Sequence, residues 1–258
     1  MSERTFSFDI TGRPGVSVRV ATGDVTIVAG EPGRVAVTLT GSERTLERYV
    51  VEQRGDTVVV EPDRSGSVGR WGSVQIVVAV GEPPEARVRS ASGGLRAATP
   101  LASLTIDTAS GDMDVPEVIG PVAVKSASGD LRVGTVGGVL EFTGASGDIR
   151  VERAGELRVR LASGDLSARE VLGAATVKSA SGDVSIAAFR GDELDVKTLS
   201  GDVAVGLPGG RRYDVSFQTL SGDVRTDFPV AGGDDLGAPA RLGISSMSGD
   251  IRIRAAGG

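Results

Sequence analysis

The sequence predicts an all-β chain, a single-chain parallel β-helix or β-solenoid with coils of about 18 residues and one Ser-Gly-Asp corner per coil. Three observations predict it. A Gly preceded by Ser recurs at Gly93, Gly111, Gly129, Gly147, Gly164, Gly182, Gly201, Gly222 and Gly249, at spacings of 18, 18, 18, 17, 18, 19, 21 and 27 residues. Apolar residues alternate with period two on both sides of that Gly, as they do in strands. Aromatic residues make up only 3% of the chain while Gly numbers 38, so the core must be aliphatic and the turns tight.

The corners come first, because they set the register of everything else. Asp follows the Gly in eight copies: Gly111-Asp112, Gly129-Asp130, Gly147-Asp148, Gly164-Asp165, Gly182-Asp183, Gly201-Asp202, Gly222-Asp223 and Gly249-Asp250. Gly93 is followed by Gly94, and a diverged copy stands at Thr22-Gly23-Asp24. Before the Gly, apolar residues fall on odd offsets, as at Val88, Ile106, Val124, Phe142 and Val177; after it they fall on even offsets, as at Leu95, Met113, Val115, Leu131 and Val184. A continuous strand cannot change phase without turning its core face outward. The Ser-Gly-Asp step is therefore a bend at which Gly takes φ > 0 and Ser and Asp hydrogen-bond nearby amides. A left-handed hexapeptide β-helix also has 18 residues per coil, but it needs an aliphatic at every sixth position, and that inner period is missing.

Two columns flank the bend. Three residues before the Gly stand mostly hydroxyl side chains (Ser90, Thr108, Ser126, Ser179, Thr198, Thr219, Ser246), which parity points inward and which suggest a hydrogen-bonded ladder inside the bend. Two residues before the Gly the column is Ala in six coils and then Leu199, Leu220 and Met247, whose direction parity leaves open.

Residues 1–85 read as an N-terminal cap with irregular first coils, and residues 86–258 as regular repeats of one continuous unit. The cap holds candidate strands at 5–10, 16–20, 24–28, 35–40, 57–61 and 74–80, with a short helical or extended bridge near 43–49. A Gly/Ser/Arg loop at 63–73 carries the single Trp, Trp71. Excess length in the late coils is confined to Gly206–Arg212 and Asp227–Arg241, always between the second strand of one coil and the first strand of the next. Insertions on one face of a repeat array often mark its binding face.

Composition narrows the chemistry. The chain has no Cys and no His, so it lacks thiolate metal sites, disulfides and the commonest general base. Its net charge of −6 argues against general nucleic-acid binding. No window approaches the apolar length of a membrane helix, and MSERTFSFDI has no apolar signal region, so the chain as written is expected to be cytoplasmic, with any envelope association running through a partner. The file of corner Asp could be read as a cation ladder. However, it offers one carboxylate per coil with no second ligand at fixed spacing, and Lys or Arg recur in neighbouring columns. Turn chemistry is the preferred reading, and no cofactor or metal site is assigned.

Without a convergent nucleophile, base and polarising group, the chain reads as a non-enzyme. The candidate partner-binding residues are Arg211, Arg212, Tyr213, Asp234 and Asp235 in the two insertions, with Trp71 as a rival anchor. The expected partner is another protein or a second copy, bound through the C-terminal solenoid end, where an uncapped strand edge would offer hydrogen bonds.

The pattern Val-x-Ser-Ala-Ser-Gly-Asp-Leu/Val-x-Val, as at Val124–Val133 and Val177–Ile186, resembles a bacterial β-strand-repeat family of unknown function labelled "putative adhesin" and also called the toastrack domain. The resemblance covers residues 86–254 and carries no catalytic residues. Relatives found with Lia and phage-shock envelope-stress systems, often fused to membrane segments, imply a sensing or scaffolding role at the membrane. The alternatives it leaves are an adhesin-like binder of surface polymers or membrane-active peptides and, further off, a carbohydrate-active β-helix enzyme.

Overall fold

The computed structural model describes residues 1–63, 72–227 and 239–256. The chain is a β-solenoid, and it divides into two compact units, residues 1–133 and 134–258.

In the first unit the strands are β1 (Ser2–Asp9), β2 (Gly15–Thr22), β3 (Val25–Ala29), β4 (Arg34–Gly41), β5 (Tyr49–Arg54), β6 (Thr57–Pro62), β7 (Gln75–Val80), β8 (Glu85–Ser92), β9 (Leu95–Ala97), β10 (Ser103–Ser110), β11 (Met113–Val118) and β12 (Val122–Ser128). One helical turn, α1 (Glu43–Leu46), is capped by Ser42, whose hydroxyl accepts from the Thr45 amide. Parallel pairing runs β6–β2–β8–β10–β12 in one series, where β2, β8, β10 and β12 precede a corner, and β7–β3–β9–β11 in the other, where β3, β9 and β11 follow one. The outer strands of this unit pair antiparallel: β5 on β6, and β4 between β7 and β1. The chain thus lays down the β2/β3 coil, builds the cap on one side of it, and returns with β8/β9 on the other.

β13 (Leu131–Gly144) begins in the first unit and ends in the second. The second unit continues with β14 (Ile149–Ser163), β15 (Leu166–Val171), β16 (Ala175–Ser181), β17 (Val184–Phe189), β18 (Glu193–Ser200), β19 (Val203–Leu207), β20 (Tyr213–Ser221), β21 (Val224–Thr226), β22 (Ala240–Ser248) and β23 (Ile251–Ala255). Its two parallel series run β14–β16–β18–β22–β20 and β14–β15–β17–β19–β23–β21.

That order corrects one expectation. The last coil in sequence, β22–β23, is not the exposed one. It is inserted between β18–β19 and β20–β21, so Ile251 and Ile253 are 0% and 2% exposed and pair on both sides. The first long insertion leads the chain from β19 to the outer β20, and residues 228–238 of the second lie outside the described residues.

The core is the set of columns read from the alternation. Val88, Ile106 and Val124 lie in register and buried, as do Val177, Val196 and Ile244. Registered aliphatic files bury a continuous interior that no single coil could bury alone.

At the corners, Gly164 shows why no other residue serves. Its φ is +119°, a region L side chains avoid, and a Cβ there would be driven into the carbonyl oxygen of Gly147 in the neighbouring coil. The same φ sign recurs at every corner Gly from Gly23 to Gly249. Three hydrogen bonds then tie successive corners. The Gly amide donates to the next Ser carbonyl (Gly182 to Ser200, 3.1 Å), and the residue after Asp donates to the next Asp carbonyl (Val184 to Asp202, 2.9 Å). The Asp carboxylate accepts the next Asp amide, as Asp183 Oδ1 does from Asp202 N at 2.8 Å.

The carboxylate link repeats from Asp148 to Asp165, Asp183, Asp202, Asp250 and Asp223, and Gly94 donates the same bond to Asp24. Arg132, Arg150 and Arg225 also pair with their own corner Asp. The hydroxyl column is bonded only in part: Ser246 donates to the Gly201 carbonyl of the neighbouring coil at 3.5 Å, and the buried hydroxyls of Ser90 and Thr219 have no partner among the described residues. Thr108, Ser126, Ser179 and Thr198 each donate to the carbonyl two residues on, at 3.0 to 3.1 Å, closing their own bend.

Candidate functional site

The outermost coil of the second unit, β20–β21, is the candidate site. Its strands pair with β22 and β23 on one side, and no strand pairs with their other side among the described residues. Inward positions that are closed elsewhere are only half-buried here, at Val215, Phe217 and Thr219, and Val224 is 42% exposed. A hollow of about 520 Å³ opens among Leu207, Tyr213, Val215, Phe217 and Ile253, with Arg211 and Arg212 also on its lining. It exists because, among the described residues, the coil has neighbours on one side only.

The sequence-selected residues divide by role. Arg211 donates to the carbonyls of Arg190 (2.9 Å) and Gly191 (3.0 Å) and pairs with Asp192, so it pins the crossing segment to the preceding coil. Tyr213 donates its hydroxyl to the Pro208 carbonyl at 2.8 Å and closes the same segment; burial pushes its phenol pKa upward. Arg212 is exposed and has no ion pair among the described residues, so its charge is available to a ligand. Asp234, Asp235 and Trp71 lie outside the described residues.

Sequence reasoning left one feature undirected. Leu199, Met247 and Leu220 point outward, at 54%, 50% and 74% exposure. Because β22 lies between β18 and β20, they occupy one register position in three successive coils and form an apolar ridge beside the corner. Ala162 and Ala180 hold the same position in earlier coils of the unit. The substitution of Ala by Leu, Leu and Met was the visible signal.

Among the described residues no group of three acidic side chains is placed to hold a metal ion, and no helix is long and apolar enough to cross a membrane. The Asp file is spent on backbone amides: in each carboxylate link one oxygen already accepts an N–H.

The model of the family described as Toastrack DUF4097 matches residues 15–254. No curated protein matches the chain. Among solved structures, a "putative adhesin" from Bacteroides fragilis NCTC 9343 aligns over 98% of this chain and 97% of that one, at 13% identity and a TM-score of 0.52. A "putative adhesin" from Parabacteroides distasonis ATCC 8503 aligns over 97% of each chain at 12% identity and a TM-score of 0.46. The first likeness shows a shared fold.

Proposed function

The chain belongs to the toastrack family, a domain family of unknown function, and from that premise we propose that it is a non-catalytic binding module that takes a protein partner on the β20–β21 edge. The observation that carries the reading is the combination at that edge. Backbone groups with no strand partner among the described residues lie beside the outward Leu220 and beside Val215, Phe217 and Val224, inward positions left partly open. An incoming strand would complete the ladder through main-chain hydrogen bonds and cover the open apolar positions. Arg212 would supply a rim charge. A repeat scaffold suits this task, since its interior is rigid and its terminal coil is the part with unsatisfied bonding capacity.

The test compares the full chain with Leu220→Lys/Val224→Lys, which places charges at two edge positions that are 74% and 42% exposed, and thermal melting of both chains checks that the fold is kept. Sedimentation across a concentration series reads self-association, and affinity capture from native lysate reads other partners. Association by the wild type that the double variant loses supports the edge. Equal association by both chains removes it.

A further inference from the structure

We infer that the second unit also carries a binding trough for an extended polyanion, walled by Arg153, Arg169 and Arg190 on one side and Arg254 on the other. The register builds it. Pairing of Ala168 with Ile186 and of Glu170 with Ala188 sets Arg169 beside Ala187; the next coil presents Gly206, and Gly206 pairs with Arg254. Two successive coils therefore offer only Ala187, Ala188 and Gly206 between flanking arginines. At the usual strand separation the Arg169 and Arg254 backbones stand about 14 Å apart. Gly206 keeps the floor low, since a Cβ there would run into the Ala187 carbonyl oxygen. The resulting hollow measures about 720 Å³.

One wall is preorganised. Glu170, only 16% exposed, takes the Nε of Arg153 on one oxygen and the Nε of Arg190 on the other, both at 2.6 Å. The two guanidinium groups hold its carboxyl below the ordinary range, so it stays ionised and keeps them in place. Each retains terminal N–H donors with no protein partner among the described residues. Arg169 has a looser contact with Glu152 at 3.5 Å, and Arg254 has no ion pair among the described residues. Asp227 lies one residue beyond the Thr226–Ile253 pair, on the far side of Arg254 from the trough.

Four guanidinium groups against two carboxylates leave a net positive concavity in a chain of net charge −6. Guanidinium forks match phosphate and carboxylate oxygens in pairs. Among the described residues the lining has no aromatic ring on which a nucleobase could stack and no apolar side chain larger than Ala for an acyl tail. Two walls separated by an empty floor favour a ligand whose charges repeat along a chain, since a single small anion reaches one wall only.

The experiment is calorimetric titration of the full chain at low salt with inorganic phosphate, linear polyphosphate, polygalacturonate and oligothymidylate. At least one of polyphosphate and polygalacturonate should bind roughly a hundredfold more tightly than inorganic phosphate, and that affinity should fall as salt rises. Whichever shows the gain identifies the oxyanion as phosphate or carboxylate. Arg254→Gln and Arg169→Gln, both at exposed positions, should each erase the advantage of the chain polymer while leaving the melting temperature in place. Arg89→Gln, an exposed position in the first unit, should leave the affinity for the polymers unchanged. Equal affinity for inorganic phosphate and both polymers, wild-type binding by the Arg169 and Arg254 variants, or tighter binding of oligothymidylate would overturn the proposal. None of these results bears on the β20–β21 edge, which is read by association of a protein.

Discussion

The coil around Gly182 and the coil around Gly222 share one motif and one bend, with φ of +121° and +140°, yet they differ in what that bend accomplishes. Around Gly182, neighbours on both sides leave Val177, Val184 and Ile186 at 0%, 2% and 0% exposure. Around Gly222 a neighbour lies on one side only among the described residues, and the equivalent Phe217 is half-buried while Val224 is 42% exposed. The bend is a property of four residues. Burial is a property of the coils that flank them, so stability in such an array sums over interfaces between neighbours. The outermost coil keeps the corner chemistry and lacks one interface, and this is what makes it available for binding.

The largest expected effect that could break this comparison is in the aromatics. Phe189 is 0% exposed, and Phe189→Ala should cost about 3–5 kcal/mol of unfolding free energy, whereas half-buried Phe217→Ala should cost about 1 kcal/mol. Urea unfolding of the full chain followed by circular dichroism measures both, and equal losses would mean that the outer coil is as closed as the inner one.

A β-branched residue at the corner comes next. Gly182→Val should cost roughly 3 kcal/mol from backbone strain and the close approach of the Gly164 carbonyl. Gly222→Val meets a comparable carbonyl at Gly249, but an outer coil can open locally, which limits the global loss to about 1 kcal/mol. Hydrogen exchange should show early opening confined to β20–β21 in the second variant.

The smallest contrast is in the carboxylates. Asp183→Ala removes the acceptor of the Asp202 amide and should cost about 1 kcal/mol. Asp223 is at the end of the file; among the described residues its carboxylate accepts no amide and pairs only with Arg225 at the surface, so Asp223→Ala should be close to neutral. Thermal melts of the two variants side by side decide it.

The glycine spacing made the corners legible because a positive φ and a close backbone approach both demand Gly, and nothing substitutes for it at Gly164 or Gly182. The hydroxyl column was legible as inward, but its bonds were not: Thr108 donates within its own bend to Ser110, Ser246 donates across to Gly201, and Ser90 and Thr219 find no partner among the described residues, though all carry the same kind of side chain. Arg211 looked like a free anchor by composition, and its cost to the site is visible only once Arg190, Gly191 and Asp192 are seen around it. The trough arginines escaped notice although Arg153, Glu170 and Arg190 recur at separations of 17 and 20 residues, close to one coil, because a charged outward column normally reads as a solvated face.

By itself the sequence determined the β-solenoid, the place of each bend and the aliphatic columns, since these follow from local φ requirements and from period-two alternation repeated at a fixed interval. Only the tertiary structure decided which coil lies outermost. The spacings of 21 and 27 residues around Gly222 show that extra chain is present. They do not say that it carries β20–β21 past its successor, because any registered neighbour satisfies the same aliphatic columns, and the choice among neighbours rests on the path of the connections.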